Sequence, residues 1–213
     1  MGASLKNQHF HGEPIIFSKK QSVDRGFLKK MDCIAFYDSP LGKITMASDG
    51  AFLIGLWFNG ARYFAESLAA EHQEKNCPIF DETRRWLDLY FSGICPHFTP
   101  PLLMRTTAFR QQVWEILLQI PFGKTTSYGE IAKQIAAQHS TKNKSVKKIC
   151  AQAVGNAVAH NAISLIIPCH RVIGKNGNLT GFAAGIDKKQ KLLTLEKAHN
   201  ASFLMPKNND FPR

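Results

Sequence analysis

The period of the hydrophobic pattern changes on either side of a proline-rich segment, Gly93 to Pro101. Before that segment, short apolar runs are bounded by turn residues, a pattern typical of strands. The predicted strands are Cys33 to Tyr37, Lys43 to Ser48 and Ala51 to Phe58. After the segment, apolar residues recur with the period of an amphipathic helix. We therefore predict an α/β domain over residues 31–98, followed by a mostly α-helical domain over residues 102–200.

Both domains are predicted to contain helices. In the first, apolar spacing indicates helices near Ala61 to His72 and Asp81 to Phe91. In the second, it indicates a helix over Ala108 to Gln119 and another at Ser127, which has the spacing of a capping box with Glu130. A further helix follows a Lys-rich loop, and its apolar stripe is Val146, Ile149, Cys150, Ala153, Val154, Ala157 and Val158. Two successive helices, the second preceded by lysines, predict a helix-turn-helix.

Charge and hydropathy narrow the class of partner. The 213 residues include 27 Lys and Arg against 16 Asp and Glu, a net charge of +11. This excess favours a polyanionic partner, because basic groups near phosphates release condensed counterions. On charge alone, a basic protein without such a partner is equally consistent. The longest apolar run, Ala51 to Phe58, is far shorter than the ~18 residues of a membrane span.

The two ends of the chain are polar and are predicted to lie outside the domains. Residues 1–30 read as a basic extension and residues 201–213 as a tail. The extension carries no apolar core followed by a cleavage site, so no secretory signal is predicted.

The cysteines argue against a disulfide framework and against a structural zinc site. They are five in number, widely spaced and without a Cys-x-x-Cys pair, and they are Cys33, Cys77, Cys95, Cys150 and Cys169. We expect reduced thiols in a cytoplasmic chain, with four of the five acting as small hydrophobes. Gly123-Lys124-Thr125 resembles the end of a P-loop, but that motif needs Gly where Leu118 stands, which excludes it.

The outward face of the second helix of the predicted helix-turn-helix is unusual for its short side chains. It carries Lys148, Gln152, Gly155, Asn156 and Ala159. Glycine inside a helix costs roughly 1 kcal/mol relative to alanine. Gly155 is therefore a tolerated weakness, a packing point against another helix, or a place where a ligand approaches the backbone. A DNA minor groove, only ~6 Å wide, would require such short side chains.

The segment with the clearest chemistry is Pro168-Cys169-His170-Arg171, which follows an apolar run from Ile163 to Ile167. The run predicts a strand. Proline cannot donate a ladder hydrogen bond, so the strand is expected to end at Pro168 and the chain to turn. A cysteine beside His and Arg lies in positive potential, which favours the nucleophilic thiolate. For an arbitrary Cys-His pair, however, a buried and inert cysteine is the commoner arrangement.

Residues 167–174, Ile-Pro-Cys-His-Arg-Val-Ile-Gly, resemble the active-site signature of the O6-alkylguanine-DNA alkyltransferases. Other segments resemble that family in the same order: Ser39-Pro40-Leu41-Gly42, Phe109 to Trp114, Ser127-Tyr128, Ala153-Val154-Gly155, Asn161, Gly181-Phe182, and Leu192-Leu193 to Glu196. The resemblance covers about residues 32 to 198. It implies a ribonuclease-H-like α/β domain and a helical catalytic domain with a winged-helix-like helix-turn-helix.

The resemblance also implies an activity. Members of the family move an alkyl group irreversibly from O6-alkylguanine, and from O4-alkylthymine, in duplex DNA to a cysteine, once per molecule and without a cofactor. One helix enters the minor groove, and the damaged base is swung out of the stack, which costs a few kcal/mol. A monomer with no membrane association is expected, cytoplasmic and nucleoid-associated in a bacterium or nuclear in a eukaryote. The family's zinc ligands have no matching Cys and His positions here, so no metal is expected.

Carried over residue by residue, the resemblance assigns a role to each matching position. Cys169 would be the nucleophile, His170 would take its proton through water, and Glu196 would orient His170. Tyr128 would donate a proton to the guanine ring, and Asn161 would hold the active-site turn. The pocket would be lined by Val172, Phe182 and Ala183, and DNA would be contacted by Ser127, Lys148, Gln152, Ala153, Gly155, Asn156 and Ala159. Without the resemblance, Glu196 reads as a solvated carboxylate, Tyr128 as a core aromatic and Asn161 as a helix C-cap.

Three features of the sequence depart from the family pattern. Gln152 stands where an Arg that fills the gap of the flipped base is usual, so weaker DNA binding or flipping is predicted. The loop before this helix is long, and its lysines are expected to add phosphate contacts that partly compensate: Lys142, Lys144, Lys147 and Lys148. Ala183-Ala184 replaces the usual Ser or Gly. Three other functions remain open: a lesion sensor with weak or no transfer, a thiol hydrolase, and a purely structural DNA-binding protein.

Overall fold

The computed structural model describes residues 31–140 and 149–198. Its N-terminal half, residues 31–103, contains one sheet with the strands β1 (Asp32–Ser39), β2 (Gly42–Ser48), β3 (Leu53–Phe58) and β4 (His72–Glu74). The strand order is β3-β2-β1-β4, and all pairs are antiparallel except β1 with β4. The three predicted strands and the turns between them are confirmed.

One helix, α1 (Pro78–Phe91), completes the N-terminal half and confirms the prediction near Asp81 to Phe91. It begins earlier than predicted because a proline fits the first turn of a helix, where its missing N–H costs nothing. Its buried residues recur every three to four positions, and they are Ile79, Phe80, Thr83, Trp86, Leu87 and Tyr90. This stripe places the helix against the sheet, with Tyr90 at its C-terminal end.

The helix predicted over Ala61 to His72 was wrong. The chain forms a series of turns there, in which Tyr63 and Ala65 adopt the left-handed φ values of 62° and 56°. The N–H of Arg62 donates to the carbonyl oxygen of Ala183 at 2.9 Å instead of closing a helical turn. Short helices are marginal without tertiary support, and here the tertiary contacts favour turns.

The C-terminal half confirms the predicted succession of helices. Its elements are α2 (Ala108–Leu118), β5 (Thr126–Ser127), α3 (Tyr128–Ser140), α4 (Ala151–Ala159), β6 (Val172–Ile173) and α5 (Ile186–Leu195). The capping box is present, because the N–H of Glu130 donates to Ser127 Oγ at 3.2 Å and the N–H of Ser127 donates to Glu130 Oε2 at 3.4 Å. The successive helices α3 and α4 form the predicted helix-turn-helix.

Two predictions in this half need correction. Cys150 was expected in the buried stripe of α4, but it is exposed and has extended backbone angles, so it precedes the helix as its N-cap. The run Ile163 to Ile167 is not a strand, because Leu165 takes a left-handed φ of 71° and the chain folds into a tight turn. Val146, Lys142, Lys144, Lys147, Lys148, residues 1–30 and residues 201–213 lie outside the described residues.

A continuous core joins the two halves. The outer edge of β3 is covered by the backbone of two other segments, which pair with N–H groups that the edge strand would otherwise expose. The N–H of Leu53 donates to Pro101 O at 2.8 Å, and that of Leu56 donates to Ala162 O at 2.8 Å. One cluster of buried apolar side chains extends from β1 to α5. Within the described ranges, no helix is long and apolar enough to span a membrane.

Candidate active site

Two backbone pairings fix the position of the active-site turn, Pro168 to Arg171. Strand β5 pairs in parallel with β6, so Thr126 lies opposite Val172 and Ser127 opposite Ile173. Because α3 begins directly after β5, this pairing brings the start of α3 beside the turn. The segment before the turn is tied to the N-terminal sheet, since the N–H of Ser164 donates to the carbonyl oxygen of Leu56 in β3 at 2.8 Å.

Cys169 opens a 3-10 helical turn, as the sequence predicted, and its side chain is buried. Its Sγ accepts a hydrogen bond from Nδ2 of Asn161 at 3.1 Å, and the same Nδ2 donates to Ile167 O at 2.7 Å. The N–H of Ile163 donates to Asn161 Oδ1 at 3.0 Å, which orients the amide with its NH2 toward the sulfur. Burial raises the pKa of the Cys169 thiol, although the Asn161 hydrogen bond and the nearby Lys189 oppose the rise. The sulfur therefore needs a base to become a thiolate.

His170 and Glu196 form a buried pair directly behind the cysteine. His170 Nε2 lies 2.7 Å from Glu196 Oε1, and both side chains are fully inaccessible to solvent. Arg171 donates from Nε to Glu196 Oε2 at 2.8 Å and from Nη2 to Oε1 at 2.9 Å. Burial alone would raise the pKa of Glu196, but the bonds from His170 and Arg171 outweigh it and hold that pKa well below its usual range. Glu196 is thus an ionised acceptor at neutral pH.

The histidine is poised as a neutral group. Burial lowers the pKa of His170, and its hydrogen bond to Glu196 only partly opposes that. An ionised carboxylate cannot donate, so Nε2 carries the proton and Nδ1 carries the lone pair. Within residues 31–140 and 149–198, the buried Nδ1 has no hydrogen-bond partner from the protein. Nδ1 is therefore the nitrogen able to accept a proton.

Sequence reasoning missed two groups that bind Glu196. The hydroxyl of Tyr90, in α1, donates to Glu196 Oε1 at 2.8 Å and lies 3.2 Å from His170 Nε2. The N–H of Gly123 donates to Glu196 Oε2 at 3.0 Å. Gly123 has a φ of +73°, and a Cβ there would lie 2.8 Å from Glu196 O, so only glycine fits this approach. In the sequence, Gly123 belongs only to the rejected P-loop match and Tyr90 only to the predicted helix Asp81 to Phe91, so neither carries a local signal for this site.

A third missed residue, Lys189, lies buried beneath the turn. Its Nζ donates to Val172 O at 2.6 Å and to Thr180 O at 2.8 Å. Burial lowers the pKa of Lys189 to about 8, although the nearby Cys169 opposes the shift. The side chain of Thr180 then donates from Oγ1 to Tyr128 Oη at 3.3 Å. Lys189 thus links β6 to Thr180, and Thr180 in turn contacts the hydroxyl of Tyr128.

Both halves of the chain match models of one protein family. Residues 33–103 match the ribonuclease-like domain of 6-O-methylguanine DNA methyltransferase, and residues 108–198 match its DNA binding domain. A methylated-DNA--protein-cysteine methyltransferase of Mycobacterium bovis is 42% identical over 161 residues, which span 76% of this chain and 90% of that protein. This chain belongs to the 6-O-methylguanine DNA methyltransferase family.

Other members of the 6-O-methylguanine DNA methyltransferase family are similar over the same region. A methylated-DNA--protein-cysteine methyltransferase of Haemophilus influenzae is 37% identical over 163 residues, covering 76% of this chain and 84% of the relative. Among solved structures, the Mycobacterium tuberculosis OGT in complex with DNA has a TM-score of 0.66 and 40% identity, with 78% of this chain and 93% of that chain covered. The predicted family and fold class are confirmed.

In this member of the methyltransferase family, α4 presents the predicted face of short side chains. Gln152 and Asn156 are exposed, while Ala153, Gly155 and Ala159 are half-buried. A Cβ added to Gly155 would lie 3.7 Å from the ring of Tyr128, an ordinary contact distance. Packing against the described residues therefore does not explain the glycine. Lys148 lies outside the described residues, and Ser127 is used as the cap of α3.

The predicted pocket residues lie around the same turn of this family member. Val172 is fully buried. Phe182 approaches His170 edge-on, with ring centroids 6.4 Å apart. Ala183 is half-buried, and its carbonyl oxygen accepts from Arg62 in the N-terminal half. The structure thus brings Cys169, His170, Asn161 and Glu196 together and places Tyr128, Val172 and Phe182 beside them, while Ala183 contacts Arg62; the individual roles remain predictions.

The five cysteines of this methyltransferase family member all fall within the described ranges, and no disulfide joins any two of them. Cys33 and Cys77 are buried, Cys95 is half-buried and Cys150 is exposed, so the expectation of small buried hydrophobes was wrong for Cys150. In the part of the chain that the structure describes, no three His, Cys, Asp or Glu side chains are grouped to hold a metal ion.

Proposed function

We propose that this chain repairs duplex DNA by transferring the alkyl group of O6-alkylguanine to Sγ of Cys169. The observation that carries the proposal is a buried cysteine held by Asn161 and backed by the His170–Glu196 pair. This arrangement supplies a nucleophile and a base in a chain whose relatives are named methylated-DNA--protein-cysteine methyltransferases. O4-alkylthymine is a further substrate of the same chemistry.

In the proposed reaction, His170 first takes the proton of the thiol. Nδ1 accepts it through a bridging water molecule, and Glu196 stabilises the imidazolium that forms. The thiolate is stabilised by the side-chain amide of Asn161, which donates from Nδ2, and by the positive charge of Lys189. Both offset the cost of burying the charged sulfur. Because burial raises the pKa of the Cys169 thiol, the thiol stays protonated until His170 removes its proton. The protonated thiol is a poor nucleophile, so it is protected from other electrophiles.

The transfer itself is a displacement at the alkyl carbon. A sulfur electron pair forms the S–C bond as the bond from that carbon to O6 breaks, and guanine keeps the electron pair of the broken bond. Tyr128 then donates a hydrogen bond or proton to the guanine ring and disperses the developing charge. Since Thr180 donates to Tyr128 Oη, the hydroxyl proton of Tyr128 is free to point toward the base. The thioether is stable, so each molecule reacts once and no cofactor is required.

DNA is bound through α4 in the minor groove. The exposed side chains of Gln152 and Asn156 are short enough to reach base edges, and the half-buried Gly155 allows the backbone to come close. Swinging the base out of the stack is necessary because stacked neighbours block an in-line approach of the sulfur. Gln152 fills the gap left by the base less completely than an arginine would. One chain supplies every group named here, so a monomer is sufficient.

The decisive experiment is intact-protein mass spectrometry after mixing with a duplex that contains O6-methylguanine. We expect a gain of one methyl group that saturates at one per chain and maps to the peptide containing Cys169. The matched control is Cys150→Ala, which removes an exposed cysteine and should leave the gain unchanged. No mass gain with DNA binding retained would instead indicate a lesion sensor, and continuous turnover of a small substrate without DNA would indicate a thiol hydrolase.

A further inference from the structure

One side chain of the N-terminal half, that of Tyr90, reaches the buried His170–Glu196 pair. Tyr90 is fully inaccessible to solvent, although it belongs to α1 and lies 80 positions before His170 in the chain. Its hydroxyl, Glu196 Oε1 and His170 Nε2 form a triangle of three polar atoms, with separations of 2.8, 2.7 and 3.2 Å. A tyrosine buried only for packing would not need to place its hydroxyl at the one carboxylate oxygen that also faces the histidine.

The protons in this triangle have one consistent arrangement. Glu196 is ionised and can only accept, so the Tyr90 hydroxyl must donate to it, and His170 Nε2 must donate to it as well. The remaining lone pairs of the Tyr90 oxygen then face the N–H at Nε2. Both groups that face Nε2 are acceptors, which excludes a lone pair on that nitrogen. The other nitrogen, Nδ1, is left as the proton acceptor.

We propose that Tyr90 is a positioning residue that holds His170 in its Nε2–H form and fixes Glu196 behind it, so that the N-terminal half is part of the proton-accepting machinery. The proposal rests on the proposed function and extends it to a residue outside the catalytic half. It gives the ribonuclease-like half a role in the chemistry besides packing. Tyr90 contacts His170 and Glu196, so it acts on the reaction through these two residues.

The hydroxyl also sets how strongly Glu196 holds the imidazolium. In the described part of the chain, the charged and titratable groups around His170 are Glu196, Arg171, Lys189, Cys169 and Tyr90. Arg171 and Lys189 lower the pKa of His170, while Glu196 raises it against the larger lowering by burial. Removing the Tyr90 hydroxyl leaves more of the carboxylate charge for the imidazolium, and this outweighs the loss of the longer 3.2 Å contact between Nε2–H and the Tyr90 oxygen because Glu196 carries a full charge. The pKa of His170 should therefore rise when the hydroxyl is lost.

The test compares Tyr90→Phe with Tyr37→Phe in the full-length chain. Tyr37 is a matched control, because its hydroxyl also donates to a carboxylate of α1, Asp88 Oδ1, at 2.8 Å, but in a solvent-exposed bond that involves neither Glu196 nor His170. The single-turnover rate of methyl transfer at saturating O6-methylguanine duplex is measured from pH 5 to 9. For Tyr90→Phe we expect a loss of about 10-fold or more on the plateau, because a hydrogen bond to a charged group is removed.

The pH dependence separates positioning from mere stability. We expect the acidic limb of the Tyr90→Phe profile to move to higher pH, and the 15N signals of His170 to titrate at the same higher pH. Tyr37→Phe should show neither change. A Tyr90→Phe protein that melts earlier but keeps the wild-type rate and limb would show a structural role only, and the proposal would be wrong.

A second substitution covers the case in which Tyr90→Phe does not fold. Replacing Tyr90 with a fluorotyrosine keeps the shape of the ring and makes the hydroxyl a stronger donor. The acidic limb should then move to lower pH, and a limb that stays in place contradicts the proposal. If the wild-type chain transfers no methyl group at all, the proposed function fails instead, and the 15N titration of His170 still tests the contact with Tyr90.

Discussion

Replacing Gly155 with alanine should stabilise the protein and weaken its binding to DNA. Gly155 lies inside α4, where glycine costs roughly 0.8 to 1 kcal/mol relative to alanine. The new Cβ would lie 3.7 and 3.8 Å from two ring carbons of Tyr128, so it adds contact without overlap. We expect the free energy of unfolding to rise by about 0.5 to 1 kcal/mol, or Tm by about 2 to 4 °C.

The effect of the same methyl group on DNA binding should have the opposite sign. If the backbone at Gly155 lies against the groove, an added methyl overpacks the interface at a cost of roughly 1 to 3 kcal/mol, which is about 5-fold to 150-fold in Kd. Affinity is measured by fluorescence anisotropy with an O6-methylguanine duplex, in a Cys169→Ala background so that transfer does not consume the protein. Stability is measured by urea unfolding.

Gly129→Ala calibrates the stability measurement. Gly129 lies in α3, and a Cβ there would have Ser127 Oγ as its nearest neighbour at 3.9 Å, so a gain of the same sign is expected. A Gly155→Ala protein that is less stable than wild type would refute the packing argument. A more stable protein with unchanged affinity would show that Gly155 is a tolerated weakness and that DNA does not approach this backbone.

Two further predictions concern Lys189 and Gln152. The pKa of Lys189 is about 8 when folded and near 10.5 when unfolded, so between these values the unfolded chain binds the extra proton and the free energy of unfolding rises with pH, by up to roughly 3 kcal/mol. Lys189→Met should lack this rise in urea unfolding from pH 7.5 to 10, and parallel curves for the two proteins would contradict the assignment. Gln152→Arg should tighten DNA binding and speed transfer without changing stability, because Gln152 is exposed. Equal Kd and equal rate in the two proteins would show that the glutamine carries no penalty.

Local sequence signals predicted the elements whose stability is local. The capping box at Ser127 and Glu130 satisfies the first amides of α3 with its own side chains, so the helix start could be read directly. A turn was predicted at Pro168 because proline cannot continue a strand, and Cys169 does lie on a turn, although the run before it is not a strand. The resemblance also indicated that Asn161, His170 and Glu196 would lie near Cys169, and the structure places these four residues together.

The sequence failed where distant contacts decide the backbone. The apolar spacing of Ala61 to His72 is helical, but a hydrogen bond from Arg62 to Ala183, more than a hundred positions away, holds the segment in turns. The apolar run Ile163 to Ile167 has the composition of a strand, but it pairs with β3 through Ile163 and then folds back at Leu165. In both cases the apolar pattern indicates the wrong element, and it reports burial correctly only for Ile163 to Ile167, since Phe64 in the first segment is exposed.

By itself, the sequence determined the family, the first three strands and most of the helices, and it singled out Cys169 as the predicted nucleophile, because these depend on local patterns and on a motif of adjacent residues. Only the tertiary structure decided which groups surround the His170–Glu196 pair and the active-site turn. Tyr90, Gly123 and Lys189 come from three separate elements, and their sequence contexts are an apolar helix stripe, a loop and a basic helix. Each matters through a buried hydrogen bond made across the fold, and a bond between distant positions leaves no periodic trace in the chain.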